Sequence, residues 1–163
     1  MVILHNISRE KFNSNYNTPE EVDNYTGPLT FDGVYYNVYL NQGLLEGREV
    51  TLFVMGDYVG KTNAFDIDQP LERYCDWNQI MELVEIYNCR LGWHTWSHKD
   101  LTTLTDQEIL KEVVPPIPME VFAYPYGKFD DRVIEIVKQA GYKEAFSVTE
   151  GDGSEYQRLR KYL

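Results

Sequence analysis

The chain has 163 residues, 43% of them hydrophobic. That length suits a single domain over 1–163, able to bury roughly 70% of its unfolded surface without a disulfide or structural metal. Twenty-six acidic against 15 basic residues give a net charge of −11, a field that repels a phosphate backbone and makes nucleic acid an unexpected partner.

Val2–Leu4 reads as a short strand running into His5. Residues 8–28 are polar, rich in Asn and Ser, and read as a long connection or Ω-like loop. Leu29–Phe31 is a second strand, ending on Asp32-Gly33. Tyr35–Leu45 carries apolar residues near helical spacing, with Gly47 as its stop. VTLFVMG is a continuous apolar run, the pattern of a strand buried on both faces. A polar loop follows, and then WNQIMELVEIY, an amphipathic helix over 77–87 capped by Asp76.

CRLGW is the next strand. TDQEILKEVV opens with a capping box, Thr105 and Glu108, and stops at Pro115-Pro116. MEVFAYP is a strand, DDRVIEIVKQAGY a helix capped by Asp130 and closed by Gly141, and EAFSV the last strand before a charged tail. Strands alternate with helices, so the predicted class is α/β with a mostly parallel sheet, an open sheet or an incomplete barrel. No segment approaches the ~20 apolar residues of a membrane span, and MVILHNISREKF is too short for a signal peptide. The expected location is cytoplasmic. Cys75 and Cys89 form no C-x-x-C motif and read as reduced, buried thiols, with a mutual disulfide as the alternative.

In such folds chemistry collects at strand ends. Asp32, Asp57, His94 and Tyr126 all follow predicted strands and are expected on one rim. In WHTWSH, His94 and His98 are four residues apart, a spacing that puts both imidazoles on one side of a helical turn, where they can share a cation. With Asp32 they make a two-histidine, one-carboxylate set that leaves positions open for water and substrate. The competing readings are a hydrogen-bonded histidine pair and an Asp32 that only holds its turn. In FAYPYG a backbone N–H can support an oxyanion. Rim aromatics, Trp96 and Tyr124 among them, can stack on a sugar, although such rings more often only pack.

LTFDG, VTLFVMGDYVG, LGWHTWSHKDLTTLT and FAYPYGKFDDRVIEIVKQAGYKEAFSV resemble, in order, the motifs of the polysaccharide deacetylases, carbohydrate esterase family four. The resemblance covers about Leu29 to Val148. It implies a distorted, incomplete (β/α) barrel of mostly parallel strands. It also implies a divalent metal, Zn²⁺ being favoured, on Asp32, His94 and His98, and hydrolysis of an acetyl group on a sugar. Tyr126 matches the residue whose N–H supports the oxyanion, and Tyr124 and Trp96 are assigned to substrate binding.

The sequence departs from the family at several points. The family's first motif carries two aspartates, a base and then a metal ligand, where this chain has only Asp32. Anchored on Thr30-Phe31, Asp32 is the base; anchored on Gly33, it is the ligand, the reading favoured here. Ala123 stands where the family has arginine, and no histidine follows His98 to act as general acid. His5 is the one unused histidine, and Asp57 and Glu150 are unmatched carboxylates.

Two functional classes follow. The first is a metal-dependent deacetylase acting on an acetylated sugar or a nucleotide- or lipid-linked sugar precursor, as in surface-polysaccharide synthesis. The alternative is a catalytically impaired pseudoenzyme or carbohydrate-binding module on the same fold.

Overall fold

The computed structural model describes residues 1–67, 69–149 and 151–163. The strands are β1 (Val2–Leu4), β2 (Asn6–Ile7), β3 (Tyr16–Asn17), β4 (Leu29–Asp32), β5 (Val50–Val54), β6 (Arg90–Trp93), β7 (Val121–Ala123), β8 (Glu144–Ser147), β9 (Arg158–Leu159) and β10 (Lys161–Tyr162). The helices are α1 (Pro19–Asn24), α2 (Tyr36–Leu40), α3 (Trp77–Tyr87), α4 (Asp106–Val113) and α5 (Asp131–Gln139). Eight strands form one sheet in the order β10-β1-β4-β5-β6-β7-β8-β9, and β2 and β3 pair separately. The pairings β1–β4, β6–β7, β7–β8 and β8–β9 are parallel, so the chain is α/β as predicted.

The chain divides into two compact units. One comprises residues 1–52, 58–90 and 161–163. Its strands β1 and β4 align Val2 with Leu29 and Leu4 with Phe31, and the Thr30 hydroxyl donates to the Val2 carbonyl at 2.8 Å. All four β4 side chains are buried, which explains the unbroken apolar run that ends on Asp32. The α3 helix begins as predicted at Asp76, whose carboxylate accepts from the Gln79 N–H while the Gln79 side chain returns the bond.

The second unit comprises residues 53–57 and 91–160. Phe53, Val121, Ala123 and Phe146 form its buried cluster. Gly92 is required there: a Cβ would lie 2.5 Å from the Phe53 ring and 2.9 Å from Val121 Cγ2. Helix α5 buries Val133, Ile134, Ile136 and Val137, and α4 buries Ile109, Glu112 and Val113.

The structure departs from the sequence reading at several elements, strand β3 within the 8–28 connection among them. The segment taken as a loop contains α1, whose Thr18 and Glu21 form a capping box with Pro19 in the first turn. That signal stood in the sequence as TPEE and is worth about 1 kcal/mol. The helix expected over Tyr35–Leu45 breaks at Asn41 and continues as a 3₁₀ turn, Gln42–Leu45. The charged tail supplies two strands, β9 beside β8 and β10 beside β1.

Both cysteines are buried and unbridged. Burial pushes the Cys75 thiol up to about 12 and the Cys89 thiol to about 11. A raised thiol pKa gives stability that is full below the unfolded value near ~8.5 and is lost as pH climbs through the folded values. The urea midpoint is therefore expected to fall between pH 8 and pH 11, and a thiol reagent at pH 8 should label the protein only after denaturation. Rapid labelling of the native protein would contradict this burial.

Candidate metal and oxyanion site

Strand β6 ends at Trp93, and the backbone then turns sharply. Thr95 (φ 69°) and His98 (φ 56°) both lie in the left-handed region, which costs of order 1–3 kcal/mol for each non-glycine residue. The helical turn expected from the histidine spacing is therefore absent. A strained turn performs the same task and brings the two imidazoles to 4.8 Å between ring centres.

The turn is pinned along its length. His94 N–H donates to Val54 O (2.9 Å), Gly56 N–H to Thr95 O (3.0 Å) and Asp57 N–H to Trp96 O (2.9 Å). The His98 N–H donates to Thr95 Oγ1 at 3.0 Å. Gly56 permits the close approach, since a Cβ there would lie 2.3 Å from Trp96 Cε3 and 2.6 Å from Trp93 Cη2.

His94 is 2% exposed, and its Nδ1 lies 2.7 Å from the Ala123 carbonyl. A carbonyl only accepts, so Nδ1 carries the proton and Nε2 is the lone-pair nitrogen. A metal-binding histidine is usually oriented in this way. The donor set of the pair therefore fits a divalent cation such as Zn²⁺. Among the described residues, no group of three or more His, Cys, Asp and Glu side chains is gathered into a metal site. Asp32, in the other unit, is 4% exposed at the end of β4 and precedes Gly33, whose φ of 65° turns the chain.

The ring of Tyr126 lies 4.7 Å from that of His98 and is 56% exposed. Its backbone is left-handed (φ 58°, ψ 10°), and its N–H donates to no acceptor among the described residues. The next residue, Gly127, is held by two hydroxyls: Ser147 and Thr149 donate to its carbonyl at 2.8 and 2.6 Å. Lys128 bonds Asp100 at 2.6 Å, with its ammonium 5.9 Å from the Tyr126 ring centre.

The remaining candidates separate by exposure. Trp96 is half-buried, with its indole N–H donating to Val114 O at 2.9 Å. Tyr124 is only 1% exposed, packed on Phe122 and Phe129 with its hydroxyl donating to Tyr156 O. Burial raises its pKa, and the ring is a core residue with no face open for stacking on a sugar. His5 stacks on Tyr162 at 6.2 Å. Asp57 is exposed, and Glu150 lies outside the described residues.

Sequence reasoning missed Glu112, whose carboxylate reaches the histidine turn from α4. The available signal was a charged residue three positions after Ile109, on the helix face that meets the core. It also missed the hydroxyl pair Ser147 and Thr149, at and just beyond the end of β8.

A family model described as polysaccharide deacetylase matches residues 28–145. The chain belongs to the polysaccharide deacetylase family. Chitin deacetylase 1 of Cryptococcus neoformans var. grubii is 39% identical over 70 residues, covering 37% of this chain and 15% of that protein. This chain thus spans a small part of that relative's length. IcaB from Ammonifex degensii superposes with a TM-score of 0.78 at 17% identity, over 99% of this chain and 91% of that one. The Streptococcus pyogenes deacetylase PplD, solved with acetate, gives 0.73 at 17% identity, over 99% and 90%. At such identity the two structures establish a shared fold, the α/β fold of this family's deacetylases.

Gly56→Ala should displace the two tryptophans at the turn. A shift in tryptophan emission and a stability loss of about 1–3 kcal/mol in urea are expected. Unchanged emission and midpoint would show that the close approach is not required.

Proposed function

We propose that this polysaccharide deacetylase family member is a metal-dependent hydrolase that removes an acetyl group from a sugar. The observation that carries the reading is the His94–His98 pair, with the His94 Nδ1 proton fixed on Ala123 O beside the Tyr126 turn. Asp32, His94 and His98 would hold the ion, with zinc favoured because imidazole and carboxylate suit it. Such an ion supplies polarisation of the acetyl carbonyl and a water acidic enough to attack at neutral pH.

The chain's own groups supply the rest. The Tyr126 N–H is offered to the developing oxyanion, and its left-handed backbone, held through Gly127, fixes the direction of that N–H. The exposed Tyr126 ring and half-buried Trp96 offer apolar surface to a sugar. With one aspartate in the first motif and no histidine after His98, the base and the acid are either vacant or recruited from elsewhere in the site, and each vacancy costs about 10²–10⁴-fold in rate. Slow turnover is therefore expected.

The same deficit supports the second reading, a sugar-binding protein that keeps the fold without turnover. A nucleotide- or lipid-linked sugar precursor remains the proposed substrate if the protein acts in the cytoplasm. No helix among the described residues is long and apolar enough to cross a membrane.

The test is acetate release from N- and O-acetylated oligosaccharides with zinc, with chelator, and by the His98→Ala variant. Zinc-dependent release lost in both controls supports the enzyme; sugar binding without release favours the binding protein. Asp32→Ala should weaken zinc binding as much as His94→Ala does. Unchanged affinity with lost turnover would instead make Asp32 the base.

A further inference from the structure

Glu112 is a carboxylate in an improbable place. It lies on the core-facing side of α4, is 8% exposed, and comes from a helix with no part in any motif of the site. Its Oε2 accepts from the Trp96 N–H at 3.0 Å and from the Ser97 N–H at 2.8 Å. Its Oε1 accepts from the Ser97 hydroxyl at 2.5 Å. Lys99 is its cationic neighbour, at 4.0 Å. Two successive backbone N–H groups converging on one oxygen form an anion-binding concavity of the kind left-handed turns create.

The concavity lies between the two strained residues. Thr95 and His98, both at positive φ, bracket Trp96 and Ser97. A backbone that adopts two unfavourable conformations persists only where its surroundings over-determine it. The turn's hydrogen bonds to Val54, Gly56, Asp57, the Thr95 hydroxyl and Ala123 O use neutral partners, and ionised acceptors form stronger bonds than neutral ones. The helix end is anchored in return, since the Trp93 indole donates to the Glu112 carbonyl at 2.8 Å and the Trp96 indole to Val114 O.

We propose that Glu112 is a positioning residue that holds the 94–98 turn in its strained form and so sets the His94–His98 pair at metal-binding separation. It touches neither metal nor substrate and acts through the Trp96 and Ser97 backbone. The zinc consequence rests on the function proposed above, whereas the positioning itself does not.

The test compares Glu112→Gln with wild type and with Ile109→Val, a volume change at a fully buried site on the same helix. Gln keeps the shape but offers one acceptor oxygen and no charge, so the bracket is weakened without opening a cavity. In metal-free protein, amide exchange by NMR should show Trp96, Ser97 and His98 losing protection in E112Q alone, with the strand amides of β7 and β8 unaffected. Zinc titration should then show affinity at least ~10-fold weaker in E112Q and unchanged in I109V, the size of loss typical when a partner that orients a ligand is removed.

Unchanged exchange at 96–98 would overturn the positioning role, whether or not the wild type binds zinc. Loosened exchange with wild-type zinc affinity would overturn the claim that the turn sets the ligand pair. Equal weakening in E112Q and I109V would reduce Glu112 to a generally stabilising residue. Absence of zinc binding in wild type would strike at the function proposed above and leave the exchange result to decide the positioning.

Discussion

A hydrogen-bonded buried carboxylate is the interaction on which the histidine turn depends. A turn with two non-glycine residues at positive φ does not hold itself, because each left-handed residue gives up conformational free energy that some contact must return. Here the returns come from both flanks. Strand β5 and the residues after it supply a carbonyl and two N–H groups, and α4 supplies an acceptor for the next two N–H groups. Burying a carboxylate is itself unfavourable, and it becomes tolerable because three donors and a lysine surround this one.

The Tyr126 turn follows the same logic with neutral partners. Its left-handed residue is followed by a glycine whose carbonyl carries two hydroxyl donors, and a Cβ on that glycine would collide with the Val148 backbone nitrogen at 2.8 Å. Two irregular turns, each fixed by side chains from a later element, meet through the rings of His98 and Tyr126. Chemistry requiring fixed donors benefits from such rigidity, because hydrogen-bond donors aimed in advance need no rearrangement during reaction.

Much of this was legible in the sequence. The strands β4, β5, β7 and β8 are short apolar runs, and α3, α4 and α5 carry side-chain caps that propensity reasoning reads directly. The histidine pair was legible too, though for the wrong local reason: i, i+4 spacing suggested a helical turn, and the chain instead uses left-handed backbone that spacing does not encode. Glu112 was hidden because a glutamate in a helix usually reads as solvated, and only the positions of Ile109 and Val113 show its face to be inward. The tail strands were hidden because Arg-Leu and Lys-Tyr pairs carry no alternation long enough to detect; their pairing is a tertiary fact. Tyr124 shows the reverse failure, since a strand-end aromatic that looked suited to a sugar is fully packed.

The tail has a consequence for the order of assembly. β10 lies beside β1, far away in sequence, while β9, separated from β10 by one residue, lies beside β8. Until β10 pairs with it, β1 has β4 on one side and a bare row of backbone donors and acceptors on the other. That is the kind of edge on which unfinished chains stick to one another. Pairing of β1 with β10 is also a contact of high sequence separation, for which loop closure precedes the reward. The Lys161–Tyr162 strand is thus a safeguard against aggregation as well as part of the sheet.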